Sequence, residues 1–145
     1  MVFDSFRARV GVVLMQGRNI LLLRDSRQSP PTFFLPGGVV RLGETLETAA
    51  KREVKSQTGV DIELQKILYI YDNIKDENKH RLDIFFLAKI VAEQIATPRM
   101  QHIKLDWVNI DLLPSMNLSP QILREQILND WKAKFKNETK YLRHN

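Results

Sequence analysis

Two apolar runs near the start of the chain predict a β-hairpin. The segment from Arg7 to Met15 is rich in Val, and the run from Ile20 to Leu23 is wholly apolar. Between them lies the polar stretch Gln16 to Asn19, which contains Gly17. Apolar runs separated by a short polar stretch with glycine are typical of two strands joined by a tight turn. We therefore expect two paired strands here.

A polar stretch with two prolines leads from this hairpin to a pair of glycines. Ser26 to Thr32 contains Pro30-Pro31 and predicts a loop, and Phe33-Phe34-Leu35 then runs into Pro36-Gly37-Gly38. Glycine lets a backbone turn sharply or approach another group closely. A functional loop is therefore expected at the two glycines.

The next segment, Thr45 to Thr58, has the apolar spacing of a helix. Four apolar residues recur at intervals of three and four positions, namely Leu46, Ala49, Ala50 and Val54. Thr45 precedes good helix formers, and Gly59 is a typical stop signal. The pattern predicts a helix of about four turns.

Further strands and a second helix are predicted downstream. Ile62 to Tyr71 and Arg81 to Val91 are rich in Ile, Leu, Tyr and Phe, which indicates two strands joined by an exposed loop from Asp72 to His80. Leu105 to Ile110, around Trp107, predicts a short strand.

The last predicted element is a C-terminal helix. Ser119-Pro120 has the form of an N-cap followed by proline at the first helical position. An apolar stripe follows it, formed by Ile122, Leu123, Ile127, Trp131 and Phe135. Strands and helices are interleaved, so the expected fold class is α/β, a mixed sheet with helices packed on it, in one domain over residues 1–145.

Composition supports an ordinary globular domain. Of 145 residues, 43% are apolar and 27% are charged, as in average globular proteins. No apolar run approaches the roughly 20 residues that span a bilayer, and the stretch from Met1 to Val10 does not have the pattern of a signal peptide. There is no cysteine, which rules out disulfides and thiolate zinc sites. We expect a cytoplasmic protein without a membrane segment.

The positive net charge permits a polyanionic partner. A formal charge of +5 attracts phosphate, so nucleotides and RNA are candidate ligands. Much of the excess lies near the C-terminus, at Lys132, Lys134, Lys136, Lys140 and Arg143. A solvated helix face or a frayed tail is the simpler interpretation of that cluster.

The segment from Gly38 to Val60 carries fixed residue types at fixed distances. Glu44 follows Gly38 after five residues, Arg52-Glu53 follows after seven more, and Gly59 lies near the end. Phe33 to Gly37 supplies an aromatic, any residue, Leu-Pro-Gly lead-in. This pattern resembles the Nudix box, with Ser56-Gln57 in place of the family's Glu-Glu pair.

The resemblance implies a fold and an activity. Nudix proteins are α/β/α sandwiches that typically hydrolyse a nucleoside diphosphate linked to another group, with Mg²⁺ or Mn²⁺ held by carboxylates of the box. Residues 53, 56 and 57 share one helix face, so glutamates there would converge on one metal cluster. By resemblance, Glu53 is the catalytic residue and a metal ligand together with the Gly38 carbonyl, and Ser56 and Gln57 are neutral substitutes.

The remaining box residues have separate expected roles. Glu44 lies just ahead of the helix and Arg52 eight residues later, so they are expected to form an ion pair that fixes the loop on the helix. Gly37 lets the backbone approach phosphate. By resemblance Arg24 is a candidate for contacting phosphate, with a plain surface arginine as the alternative. Phe33 is a candidate for stacking on a base, although aromatic residues in strands more often pack in the core. No metal is assigned to the histidines, which lack ligand spacing: His80, His102 and His144.

Loss of the Glu-Glu pair leaves two functions open. The first is a hydrolase, weakened but retaining one Mg²⁺ at Glu53, because Mg²⁺ needs only one or two protein carboxylates. The second is a catalytically inactive Nudix domain that binds a nucleotide or RNA. A carboxylate from outside the box could compensate, and the candidates are Asp72, Asp76, Glu77, Asp83 and Asp106. For each of them a solvated surface acid is the simpler interpretation. The resemblance also implies a homodimer.

Overall fold

A mixed sheet forms the centre of the molecule, with nine strands among the residues that the structure describes. The computed structural model describes residues 5–76 and 78–143. The strands are β1 (Ser5–Gln16), β2 (Asn19–Asp25), β3 (Phe33–Phe34), β4 (Gly37–Val39), β5 (Ile62–Asp76), β6 (Lys79–Ile90), β7 (Ile103–Asn109), β8 (Leu118–Ser119) and β9 (Lys140–Arg143). The helices are α1 (Leu46–Thr58), α2 (Leu123–Lys132) and a 3₁₀ helix (Ile110–Ser115).

Strand β1 is the hub of this sheet. The strand order is β8-β3-β2-β1-β6-β5-β9, with β4 paired to β1 and β7 paired to β2. β1 runs parallel to β6 over ten residue pairs, from Ser5 with Lys79 to Leu14 with Ala88. β2 and β4 pair with β1 in the antiparallel sense, which confirms the predicted hairpin. Both ends of β1 therefore support other strands.

Helix α1 begins and ends where the sequence predicts. The Thr45 hydroxyl accepts a hydrogen bond from the Thr48 N–H at 3.1 Å, which satisfies one free donor of the first turn. At the other end the Gly59 N–H donates to the Lys55 carbonyl at 2.9 Å. Its buried apolar side chains, Ala49, Ala50 and Val54, face the sheet.

Each face of the sheet carries its own apolar core. On β1, Val12 and Leu14 pack with α1, whereas Val13 points to the opposite face. There it joins Leu123 and Ile127 of α2. Because successive residues of a strand alternate between faces, one strand supplies both cores. The resulting helix–sheet–helix arrangement confirms the expected α/β class.

The predicted exposed loop from Asp72 to His80 was wrong. β5 continues to Asp76 and β6 begins at Lys79, so these polar residues belong to a long hairpin. Their side chains meet within it: His80 Nε2 lies 2.7 Å from Asp72 Oδ1. Hydrogen bonds of this kind let a polar sequence continue the sheet where apolar alternation stops.

The predicted start of the second helix was also wrong. Ser119 lies in β8, paired with Phe34, and α2 begins only at Leu123. Of the predicted stripe, Leu123 and Ile127 are fully buried, whereas Ile122 is 40% exposed. Trp131 is partly buried against the same core. Ser119 is part of the sheet, and a turn over residues 120–122 separates it from the first residue of α2, so it cannot cap that helix.

The basic C-terminal segment is more ordered than a frayed tail. α2 ends at Lys132, and Lys140–Arg143 forms β9, parallel to β5. Lys140 Nζ lies 2.8 Å from Asp130 Oδ1, in an ion pair whose carboxylate is almost completely buried. This part of the chain therefore helps to close the α2 side of the molecule.

Among the described residues, no helix is both long and apolar enough to cross a membrane.

Candidate functional site

Strand β4 and helix α1 bring Gly38 against Glu53. Gly38 pairs with Val10 of β1, which fixes the position of β4. A Cβ atom on Gly38 would lie 2.6 Å from Glu53 Cδ and 2.8 Å from each carboxylate oxygen. No real Cβ approaches that closely, so the absence of a side chain at Gly38 is what lets the carboxylate rest on the strand backbone.

Arg52 ties this carboxylate to the loop before the helix. Its Nη1 lies 2.6 Å from Glu53 Oε1, and its Nε and Nη2 lie 2.7 and 2.9 Å from the two oxygens of Glu44. Nη2 also donates to the Val39 carbonyl at 3.1 Å. The predicted pair of Glu44 and Arg52 is therefore present, and it connects β4, the loop and α1. Hydrogen bonds from the Arg52 guanidinium, with one from the Arg41 N–H, lower the pKa of Glu44 to about 2.

Gln57 forms a two-way hydrogen-bonded pair with Gly37. Gly37 N–H donates to Gln57 Oε1 at 3.0 Å, and Gln57 Nε2 donates to the Gly37 carbonyl at 3.0 Å. Gly37 itself packs on β1, because a Cβ there would lie 2.0 Å from the Val10 carbonyl oxygen. Gln57 is 8% exposed, so this pair is shielded from water. The Gln57 amide therefore holds Gly37 and Gly38, here called the glycine loop, on helix α1. We call this hydrogen-bonded pair of Gln57 and Gly37 the latch.

The donor set decides which metal site these residues fit. Among the described residues, no group of three or more His, Cys, Asp or Glu side chains lies together as a metal site. Gln57 already uses its oxygen on Gly37, and Ser56 is exposed on the helix surface. A cluster of several ions, which needs concentrated negative charge, does not fit. One Mg²⁺ is the most that this donor set could hold, because Glu53 is a single carboxylate against Gly38 and Mg²⁺ can keep most of its waters.

A cavity of about 480 Å³ adjoins the latch. Its walls include Gly37 and Gln57 together with residues of β1, β5 and β6. The polar and charged residues among its walls are Arg9, Asp25, Gln28, Thr32, Gln57, Asn73, Arg81, Asp83 and Ser119. Leu35, Phe34, Phe85 and Pro120 add apolar surface. This size and mixture suit a small organic ligand with several polar groups.

Two of the predicted substrate-binding side chains lie outside these walls. Arg24 Nε donates to Asp106 Oδ2 at 2.7 Å, and Phe33 packs on the core of the α2 face. Phe34, the next residue, lines the cavity instead. Alternation along β3 explains the exchange, since neighbouring side chains point to opposite faces. Of the three residues predicted to bind substrate, Gly37 alone is part of the wall.

Among the acids outside the box, Asp83 lies in the cavity wall. Asp106 is paired with Arg24, and Asp72 accepts hydrogen bonds from Tyr141 and His80, which lower its pKa. His102 is exposed. The Asp76 side chain, Glu77 and His144 lie outside the described residues.

Several cavity residues were not anticipated from the sequence. Arg9, Asn73 and Arg81 reach the site from three neighbouring strands. Arg81, Asp83 and Phe85 alternate along β6, a two-residue period that places them on one face. That period was the available signal, although it does not identify which strands adjoin the glycine loop.

Comparison with known proteins finds matches to the NUDIX domain and to proteins that contain it. The sequence model of the NUDIX domain matches residues 5–128. An ADP-ribose pyrophosphatase of Methanocaldococcus jannaschii is 29% identical over 86 residues, 59% of this chain and 51% of that protein. The chain thus spans about half of that relative's length.

Two further proteins match over most of their length. A Bacillus subtilis protein provisionally named an 8-oxo-dGTP diphosphatase is 31% identical over 121 residues, 83% of this chain and 76% of that protein. The crystal structure of a MutT NUDIX hydrolase from Burkholderia pseudomallei has a TM-score of 0.73 and 25% identity, covering 86% of this chain and 99% of its own.

Proposed function

The chain belongs to the Nudix family, and on that premise we propose that it is a pyrophosphohydrolase acting on a nucleoside diphosphate linked to another group. Its cofactor is proposed to be Mg²⁺ or Mn²⁺. The proposal includes a reduced rate, since the Glu-Glu pair of the box is replaced by Ser56-Gln57.

The position of the Glu53 carboxylate carries this proposal. It rests on the Gly38 backbone, where a Cβ would lie 2.6 Å from its Cδ, and it is 19% exposed. Arg52 and Glu44 hold this arrangement together. Neither Glu53 nor Gly38 lines the neighbouring cavity, which reaches this part of the fold at Gly37 and Gln57. A carboxylate held at a glycine loop beside a cavity is suited to a hydrated divalent cation and a phosphate-bearing ligand.

The proposed chemistry divides between the cation and the chain. A bound Mg²⁺ would neutralise charge on the diphosphate and lower the pKa of a coordinated water. Glu53 and backbone carbonyls of the glycine loop would hold the ion, and the cavity walls would bind the nucleotide. Neither Ser56 nor Gln57 can take a proton from water near neutral pH. Loss of a general base of this kind costs about 10²- to 10⁴-fold in rate.

The test is hydrolysis of a panel of nucleoside diphosphate derivatives in Mg²⁺ or Mn²⁺. Glu53→Gln keeps the size of the side chain and its contact with Arg52 but removes the charge, so it should abolish metal-dependent turnover. Glu47→Gln is the matched control, because Glu47 is an exposed glutamate of the same helix. Turnover that Glu53→Gln leaves unchanged would remove Glu53 from the site.

A second candidate function is a binding module that does not hydrolyse its ligand. The latch between Gln57 and Gly37 favours it, because Gln57 uses both its amide oxygen and its amide nitrogen on the Gly37 backbone. The ligand would be a nucleotide or, given the charge of +5, RNA. Salt-sensitive binding with no product after long incubation would support the module over the enzyme.

Two further properties are proposed. Assembly as a homodimer rests on family resemblance alone, and a cytoplasmic location rests on the sequence pattern. Sedimentation of the purified chain tests the first, and fractionation of cells that express it tests the second.

A further inference from the structure

Asp83 is a buried carboxylate with an unsatisfied oxygen. The residue is 7% exposed, and its Oδ2 accepts a hydrogen bond from Asn73 Nδ2 at 3.2 Å. Within the described part of the chain, Oδ1 has no hydrogen-bond partner. A buried polar atom left unpaired costs free energy, so it calls for a partner that the chain alone does not supply.

The Asp83 side chain is also part of the cavity wall. Rotation about the last side-chain bond of aspartate is broad and nearly two-fold, so either carboxylate oxygen can turn towards the cavity. A ligand that occupies the cavity and carries an N–H donor would therefore satisfy this group.

Two arginines flank the same carboxylate. Arg9 lies directly opposite Asp83 on β1, and Arg81 lies two residues away on β6. Both are partly buried and line the cavity. No ion pair among the described residues involves either guanidinium. This end of the cavity thus presents donors and an acceptor side by side.

The charge pattern argues against a second phosphate at this end. A phosphate placed between the arginines would also face the Asp83 carboxylate, and like charges at close range repel. A neutral ring with donors on one edge and acceptors on another avoids that repulsion. Phe34 and Phe85 in the same walls supply aromatic surface for such a ring.

The distance to the glycine loop fits a nucleoside. Gly37 pairs with Gly11 of β1, Gly11 pairs with Phe85 of β6, and Asp83 lies two residues before Phe85. Strand spacing and rise put the Cα atoms of Gly37 and Asp83 roughly 12 Å apart. A nucleotide whose phosphates lie at Gly37 can therefore place its base at Asp83.

We propose that Asp83, with Arg9 and Arg81, recognises the guanine base of a guanosine diphosphate derivative in this cavity. Guanine presents N1–H and N2–H donors to a carboxylate, and its O6 and N7 acceptors match an arginine fork. Of the common bases it alone joins two adjacent donors to that acceptor edge. The inference rests on the proposed function, because it names the substrate class of the same site.

Binding in a chelator tests this recognition without any turnover. Calorimetric titration of the full chain with GDP, ADP, CDP, UDP and inosine diphosphate should show GDP binding about tenfold or more tightly than the other four. Inosine diphosphate lacks the 2-amino donor and so reports the contact with the carboxylate. Asp83→Asn should remove the preference for GDP. Asp111→Asn, at an exposed carboxylate paired with Arg18, should keep it.

A stability measurement separates recognition from a structural role. Asp83→Asn removes an unpaired buried charge, so its unfolding temperature should equal or exceed that of the parent. Should this variant fail to fold, Arg9→Gln provides the same test from β1 and should weaken GDP binding. Equal binding of all five nucleotides, no binding of GDP, or a preference that survives Asp83→Asn or Arg9→Gln would overturn the inference.

The result is distinguishable from failure of the proposed hydrolase. Hydrolysis of panel substrates without a preference for guanine would overturn the recognition by Asp83 and leave the enzyme standing. Selective GDP binding with no metal-dependent product would support the recognition and overturn the enzyme.

Discussion

Gln57 and Gly37 hold each other through a reciprocal pair of hydrogen bonds, each 3.0 Å long. The side chain donates to the Gly37 carbonyl and accepts from the Gly37 N–H. A glutamate at this position could accept but not donate, so its second oxygen would face the carbonyl oxygen. The neutral amide is thus suited to holding the glycine loop on α1 when no cation lies between them.

Gln57→Glu should therefore destabilise the metal-free protein. Loss of one buried hydrogen bond and the new repulsion between oxygens should lower the free energy of unfolding by about 1–3 kcal/mol. Added Mg²⁺ should restore part of the lost free energy of unfolding, because the ion binds the folded state. Urea denaturation in EDTA and in Mg²⁺ measures both effects.

The matched control for that measurement is Ser56→Glu. Ser56 is exposed on the same helix, so its substitution should change stability by no more than about 0.5 kcal/mol. If the two variants are equally stable in EDTA, the latch does not contribute to folding.

Gly38→Ala should separate folding from activity. The added Cβ would meet the end of the flexible Glu53 side chain, which can move aside, so the fold should survive. The displaced carboxylate should then lower metal-dependent hydrolysis about 10²-fold, as expected for an ångström-scale misplacement. Val39→Ala, which adds no atom at the neighbouring residue, should retain activity. Full activity in Gly38→Ala would show that the contact with Glu53 is not needed for catalysis.

Asp130 should make stability depend on acidic pH. Burial raises the pKa of Asp130, but hydrogen bonds from Asn137, Lys140, Tyr69 and Gln126 together lower it from 3.8 to about 2. A carboxyl group whose pKa is lower in the folded state stabilises the fold at any pH above its pKa in the unfolded state. This contribution is lost as pH falls from about 4 to about 2.

Replacement of this carboxylate tests that dependence. Asp130→Asn should lower the free energy of unfolding near pH 7 by about 1–3 kcal/mol, since its amide group opposes other donors. The same substitution should also reduce the loss of unfolding free energy between pH 4 and pH 2. Asp61→Asn, at an exposed carboxylate, should change neither quantity appreciably. An unaltered acid decline in Asp130→Asn would contradict the assignment.

Local signals in the sequence predicted the elements around the box. The Thr45 cap, the Gly59 stop and the pairing of Glu44 with Arg52 follow from short-range spacing, and the structure has all three. The cap and the stop depend on residues at the ends of one helix, and the ion pair joins residues only eight positions apart.

Features that depend on distant pairing were missed. Ser119 resembles a helix cap, yet it pairs with Phe34 in the sheet. Asp130 lies on α2, and its partner Tyr69 lies 61 residues away on β5. Arg9 and Asp83 meet because β1 and β6 run parallel, a pairing that no local pattern encodes. The cavity is therefore a product of topology, whereas the box is visible in the sequence.

The most direct test of the hydrolase site is to restore the missing carboxylates. Ser56→Glu combined with Gln57→Glu would add two charges to the helix that carries Glu53. The measurement is the Mg²⁺-dependent hydrolysis rate of the double variant on the nucleotide panel, beside that of the parent. An intact cleft that lacks only metal charge and a base predicts tighter Mg²⁺ binding and a rate about 10²- to 10⁴-fold higher on at least one nucleotide. A folded double variant that binds no more Mg²⁺ than the parent and forms no product would contradict the hydrolase and favour the binding module.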